Sequence, residues 1–327
     1  MSALPMRQSL TARGPQLARL VPYLLVPVLF GIGAATIQGY ASKSSVLSLL
    51  VLSSLLGLAS VGQTLVVIVG GVDLSIPAVI GLADVVITQL YGAHWPFWEA
   101  TLLILGLALA IGVANALISI ALRVHPLVIT LGTGLIVTGG VLTWNHSAVT
   151  GTVPQWLITS VSVIGKTGPI PIPAVVVIWV GVCALTIAFQ RYARLGREIY
   201  ATGANPVAAR LTHVRTRWTW IVAFAISALF AAVTGIFFAG FSGGADASVG
   251  DPYLFETLTA IVVGGTSLLG GRGGYGRTIV GVLAITQLTT LLVGAGLGSA
   301  MQEALLGILV ILLVAAYGRE PHVAARF

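Results

Sequence analysis

The sequence predicts an all-α integral membrane protein of about ten transmembrane helices, with both termini in the cytoplasm. Three observations carry this prediction. Hydrophobic residues fill 57% of the 327 positions and charged residues only 8%, against roughly 25% charged in a soluble domain. The mean hydropathy of +1.02 requires most of the surface to face lipid. The apolar runs are long and continuous, as in spanning helices, and lack the alternation of barrel strands.

A bilayer core takes about 20 mainly apolar residues per helix. Ten runs qualify, near 20–38, 46–70, 76–91, 99–122, 127–144, 172–189, 217–241, 254–269, 276–294 and 299–317. The polar segment 1–19 precedes the first run, and no small-residue cleavage motif follows that run, which reads as a retained helix. Turn formers or charges separate the runs at Gly70-Gly71, His94 to Pro96, Arg123 to Pro126 and Gly264 to Gly276. The stretch from Asn145 to Pro171 is too polar and too rich in Pro and Gly to span, so it reads as an external loop with room for a short helix. Residues 191–217 form the long cytoplasmic loop and 318–327 a cytoplasmic tail; 20–317 is one membrane domain.

Charge placement tests the count. With ten spans and both ends inside, fourteen of the sixteen Lys and Arg residues fall on the cytoplasmic side, including Arg7, Arg13, Arg19, Arg319 and Arg326. Only Lys43 and Lys166 lie outside, beside Glu99, Asp246, Asp251 and Glu256. The net charge of +7 is thus a topology signal; no soluble basic face exists to bind nucleic acid. The single Cys183 permits no intrachain disulfide.

Two segments stand out as built structure. Gly70, Gly71, Asp73 and Ser75 break one hydrophobic stretch into two. Asp73 or Ser75 can cap the helix restarting at Ile76-Pro77, or the break can line a transport cavity. In the cytoplasmic loop, Asn205 suits an N-cap and Pro206 the first helical position, so a short helix is expected over Pro206 to Val214. Arg210, Arg215 and Arg217 follow, where positive charge complements a helix C-terminus. Otherwise this is a solvated loop kept inside by its arginines.

Several glycine patterns carry no chemistry. Gly271, Gly273 and Gly276 have dinucleotide-site spacing without a preceding strand. Gly265 and Gly270 have P-loop spacing, but Gly271-Arg272 stands where Gly-Lys-Ser/Thr is required. Gly240 to Gly244 follows a membrane helix and has no triad partners. His94, His125, His146, His213 and His322 show no zinc spacing.

Polar residues inside spans are costly and usually face a partner or a cavity. Asp84 lies midway along the third run, either facing a ligand, held by neighbouring hydroxyls, or protonated. Gln63, Asn115, Thr130, Thr133, Trp144, Asn145 and Gln287 can either join helices or supply hydrogen bonds and an aromatic face to a ligand.

Four stretches in order resemble ribose-type permeases, the ABC importer branch that moves monosaccharides and, in related proteins, nucleosides. They are Gly62-Gln63-Thr64 with Gly70 to Ser75; Asn115, Arg123-Val124 and Thr130 to Thr133; Gly196 to Leu211; and Gly264 to Gly273. The resemblance runs from about Gly57 to Tyr317. It implies a transport subunit without bond chemistry or bound cofactor, working beside a second permease copy or paralogue. An extracytoplasmic binding protein would deliver solute, and a partner ATPase holding ATP and Mg would dock at Gly203, Asn205, Pro206, Ala208, Ala209, Arg210 and Leu211. Pro77 departs from the family's usual Gly, and Asp84 from its usual small residue. An ion-coupled secondary transporter would instead use Asp84, Asp73 or Glu303. A membrane enzyme would need clustered His, Cys or acids, which are lacking, while a nucleoside or polyol remains open as the solute.

Overall fold

A computed structural model describes residues 14–145 and 151–317, with side chains described except at 14–21, 145, 313, 314, 316 and 317. The polar start with Arg7 and Arg13, the side chains of Arg19 and Asn145, His146, and the tail with Arg319, His322 and Arg326 lie outside the described residues. The helices are α1 (Gly14–Thr36), α2 (Lys43–Val69), α3 (Ile76–Gly92), α4 (Phe97–Leu122), α5 (Pro126–Asn145), α6 (Gln155–Val161), α7 (Ala174–Tyr192), α8 (Arg194–Ala204), α9 (Pro206–Leu211), α10 (Thr216–Ser242), α11 (Tyr253–Val263), α12 (Tyr275–Gly294) and α13 (Ser299–Tyr317). No strand occurs among the described residues, only an isolated bridge from Thr167 to Ile170.

Six helices are long and apolar enough to cross a membrane: α2, α4, α5, α7, α10 and α12. Four shorter apolar helices, Pro22–Thr36, Ile76–Gly92, Tyr253–Val263 and Ser299–Leu312, occupy the other predicted runs. The run expected over 254–269 is the main correction. Its helix stops at Val263 because Gly265, Gly270, Gly271, Gly273 and Gly274 all take positive φ and turn the chain.

The core is α2. Every residue from Ser53 to Val69 is buried, as expected of a helix apolar on all sides and wrapped by others. α10 packs along α2, α3 and α4. Small residues permit the approach: a Cβ at Gly62 would strike the Ser227 backbone, one at Gly112 the Phe224 carbonyl, and one at Gly235 the Ile80 carbonyl. At one end α6 lies over α10, with Gly240 against Leu157, and Phe97 meets Trp156 edge-on at 4.9 Å. At the other end α8 packs against α2, α7 and α10, and α9 follows it.

An internal repeat organises this bundle. Gly70-Gly71-Val72-Asp73-Leu74-Ser75 and Gly243-Gly244-Ala245-Asp246-Ala247-Ser248 follow α2 and α10, which are both 27 residues long. Each long helix ends on a left-handed glycine, Gly70 at φ 99° and Gly243 at φ 69°. In each turn the aspartate accepts the N–H and hydroxyl of the serine two residues on, at 3.0 and 2.6 Å in the first copy and 2.9 and 2.7 Å in the second. A shorter helix then begins, α3 or α11. α2 and α10 run antiparallel, since Gly62 meets Ser227 while Leu56 lies level with Phe238, so the second copy is inverted relative to the first.

Candidate functional site

The turn after α2 is buried and tied to four helices. The Asp73 carboxylate takes Ser75 through one oxygen and the Ser227 hydroxyl of α10 through the other, at 2.7 Å. Gln63 of α2 accepts the Asp73 N–H at 3.2 Å, and Thr130 of α5 accepts the Leu74 N–H at 2.9 Å. Asn115 of α4 donates to the Ser75 hydroxyl at 2.9 Å. Backbone donors at a break inside a bundle have no water to fall back on, and these side chains replace it. Ser75 occupies the N-cap position of α3 but makes no side-chain cap; its hydroxyl donates to Asp73 instead. Asp73 holds the Ser75 N–H within the turn, so neither residue caps α3 by its side chain, and Pro77 removes one of the helix's free N–H groups.

Three of the predicted solute-path residues, Gln63, Asn115 and Thr130, thus meet at this node, each no more than 1% exposed. Gln63 Nε2 and Asn115 Oδ1 are left without partners there. Thr133 is half-buried and Trp144 is 50% exposed at the far end of α5. Gln287 lies on α12, remote in sequence from the node, with its Oε1 buried and unpartnered. Asp84 is fully buried on α3. No hydroxyl holds it; its Oδ2 accepts the Asp246 N–H at 2.8 Å, pinning the second-copy turn to α3, and its Oδ1 has no partner.

The end of the bundle that carries α8 and α9 is fastened by backbone contact. A Cβ at Gly203 would strike the Ile68 carbonyl, and the Gly271 N–H donates to that same oxygen at 2.8 Å. Tyr200 donates to the Gly273 carbonyl at 3.0 Å, and burial pushes its hydroxyl above the usual tyrosine value, with Arg277 opposing. Gln190 accepts the Tyr275 N–H at 2.9 Å. One turn deeper, the Tyr275 hydroxyl donates to Gly57 O at 2.8 Å and accepts from Trp179 Nε1 at 3.0 Å.

α9 stands out from this clasp. Asn205 Oδ1 accepts the N–H groups of Val207 and Ala208, both at 3.0 Å, and Pro206 fills the first helical position. The helix is shorter than expected, ending at Leu211, where Thr212 closes the turn and His213 takes a left-handed φ of 61°. Ala209 is buried, while Ala208 and Arg210 face out, with Val207 59% and Leu211 80% exposed. Sequence reasoning missed Ser227, Tyr275 and the Gly203–Ile68 contact. The repeated Gly-Gly-x-Asp-x-Ser would have pointed to the α2–α10 pairing that brings Ser227 to Asp73.

A bundle of apolar helices interrupted by buried polar turns, with a capped surface helix at one end, is the architecture of a multi-pass membrane protein. Residues 45–314 match the family described as branched-chain amino acid transport system / permease component, and the chain belongs to it. It is similar to the autoinducer 2 import system permease protein LsrD of Klebsiella pneumoniae, 30% identical over 79% of both chains. The probable ABC transporter permease protein YphD of Escherichia coli K12 is 29% identical over 90% of this chain and 87% of its own. The ribose import permease protein RbsC of the same strain is 28% identical over 88% and 89%. No solved structure matches the chain. It is a multi-pass protein of the bacterial inner membrane and a transport component, not an enzyme.

Proposed function

We propose that this chain is the permease subunit of an ABC importer for a sugar or sugar-like solute, spanning the membrane ten times with both termini in the cytoplasm. A partner ATPase, carrying ATP and Mg, docks on α9; an extracytoplasmic binding protein delivers the solute; and a second permease copy or paralogue completes the path. The observation that carries this reading is α9 itself. It is capped by Asn205, exposes Val207 and Leu211, and begins three residues beyond Gly203, where α8 is held to the end of α2. A solvated loop needs none of this. The sugar assignment rests on the similarity to the ribose and autoinducer 2 permeases.

The test is co-purification after expression with the neighbouring genes of the operon, with Ala208→Glu placing a charge on the exposed face of α9. The expected result is an ATPase subunit that accompanies the native chain and is lost from the variant. Absence of an ATPase, with uptake running on a proton gradient, would overturn the proposal and make Asp84 the residue to pursue.

A further inference from the structure

We infer that the notch between the C-terminal end of α7 and the N-terminus of α12 binds the headgroup of an anionic phospholipid, a phosphodiester of net negative charge such as phosphatidylglycerol. α12 packs on α7 there, and its start is a positive end with little to offset it. The N-cap is Gly274, which supplies no side chain, and the first turn carries no acid. The Tyr275 N–H goes to Gln190 Oε1 at 2.9 Å, and those of Arg277 and Thr278 go to the Gly274 carbonyl. Among the described residues nothing takes the Gly276 N–H. Gly276 is exposed, and a Cβ built on it would meet only Ile187 of α7, at 3.6 Å, so the missing side chain leaves the notch open.

Gln190 points to a ligand independently. Only 8% exposed, it commits Oε1 to Tyr275 and keeps Nε2 without a partner. Because Oε1 fixes the amide against the start of α12, Nε2 lies at the same helix end. A buried donor left unpaired is costly, and an acceptor in the notch removes that cost. Two guanidinium groups flank it. Arg277, on the first turn of α12, is exposed and close enough to Tyr200 to act on its hydroxyl. Arg191, exposed at the end of α7, stands one helical turn beyond Ile187 and lies over the Tyr192 ring at 5.5 Å. No described salt bridge reaches either arginine.

The free groups here donate, as the oxygens of a phosphodiester require. From Gln190 to Arg217 and from Gly264 to Arg277 the one acid is Glu198, and Arg194 holds it at 2.8 Å. The ammonium of a zwitterionic headgroup therefore finds no partner, which favours a lipid of net negative charge. The notch also opens onto an apolar wall. Val180, Ile187 and Arg191 fall on one line along α7, and Val180, Leu185 and Ile187 are all exposed. Exposed Tyr192 closes the polar end of that wall, where aromatic residues meet the membrane interface. A free anion would use the donors and leave the wall bare; a lipid uses both.

The experiment follows the thermal midpoint of the purified full-length chain, with any subunit that accompanies it, in an uncharged detergent titrated with phosphatidylglycerol, phosphatidylcholine or inorganic phosphate. Arg277→Gln and Arg191→Gln each remove one charge from the notch. Arg217→Gln removes one at the same end of the bundle but on α10, outside it. Gln190→Glu keeps an acceptor for Tyr275 and sets a carboxylate where the free amide stood. The expected result is a saturable rise with phosphatidylglycerol alone, which Gln190→Glu abolishes. Its half-saturating concentration grows about tenfold in each of Arg277→Gln and Arg191→Gln and holds steady in Arg217→Gln. If Gln190→Glu does not accumulate, the two exposed arginines decide. A rise that phosphatidylcholine matches, that both notch arginine variants keep, or that Arg217→Gln weakens equally overturns the site. An equal rise with inorganic phosphate overturns the lipid assignment. If the notch arginine variants lose a co-purifying ATPase but keep the lipid effect, those arginines serve that partner and the proposal falls.

Discussion

Gly203 of α8 rests with its α-carbon against the carbonyl oxygen of Ile68, the next-to-last residue of α2. Since Gly271 donates to the same oxygen, three segments distant in sequence share one acceptor. A push on α8 therefore reaches α2 through backbone, without a flexible side chain to absorb it. Gly203→Val must separate these segments, and overpacking of this kind costs about 1–3 kcal/mol. The expected outcome is a lower thermal midpoint in detergent, together with ATP hydrolysis that no longer drives uptake.

Asp73 holds the first turn by both carboxylate oxygens, so Asp73→Ala takes the acceptor from the Ser75 N–H and O–H and from the Ser227 hydroxyl in the core. Buried groups left unpaired cost about 1–3 kcal/mol each. Ser227→Ala removes one partner and is expected to cost less. Their effects fall short of additivity in the double variant, because they break the same bond. Thermal unfolding of the single and double variants checks this.

Tyr275→Phe removes the acceptor of Trp179 Nε1 and the donor to Gly57 O together. A loss of roughly 1–3 kcal/mol follows from the orphaned groups. Because Trp179 is one of the affected partners, its fluorescence on heating reports the change directly.

Asn205→Ala strips the cap from α9 and is expected to destabilise that helix by about 1 kcal/mol. Asn205→Asp keeps the acceptor. ATPase association measured across the two variants should fall for alanine and recover for aspartate.

The sequence was a good guide wherever one residue type answers one local demand. Asn205 and Pro206 announced the start of α9, and Gly70 the end of α2, because capping and left-handed backbone depend on near neighbours. The charge segregation supported ten runs, and each falls on a helix. Polar residues within helices were harder to read. Gln63, Asn115 and Thr130 could serve either to join helices or to meet a solute, and they converge on the Asp73 turn from α2, α4 and α5. Nothing in the order of residues tells whether a buried amide meets a ligand or another helix. Glu256, expected on the outer side with the acids of the connecting loop, lies on the first turn of α11, whose start follows the second turn where it folds back against α3.

The inverted repeat uses one six-residue turn for two kinds of fastening. Its halves share one design but hold it differently, with α3 running 17 residues and α11 only 11. The first turn is a plug whose aspartate grips α10 through Ser227, and the second is a strap whose backbone is gripped by Asp84 of α3, so one short sequence locks the bundle at two opposite ends, once by its side chain and once by its main chain.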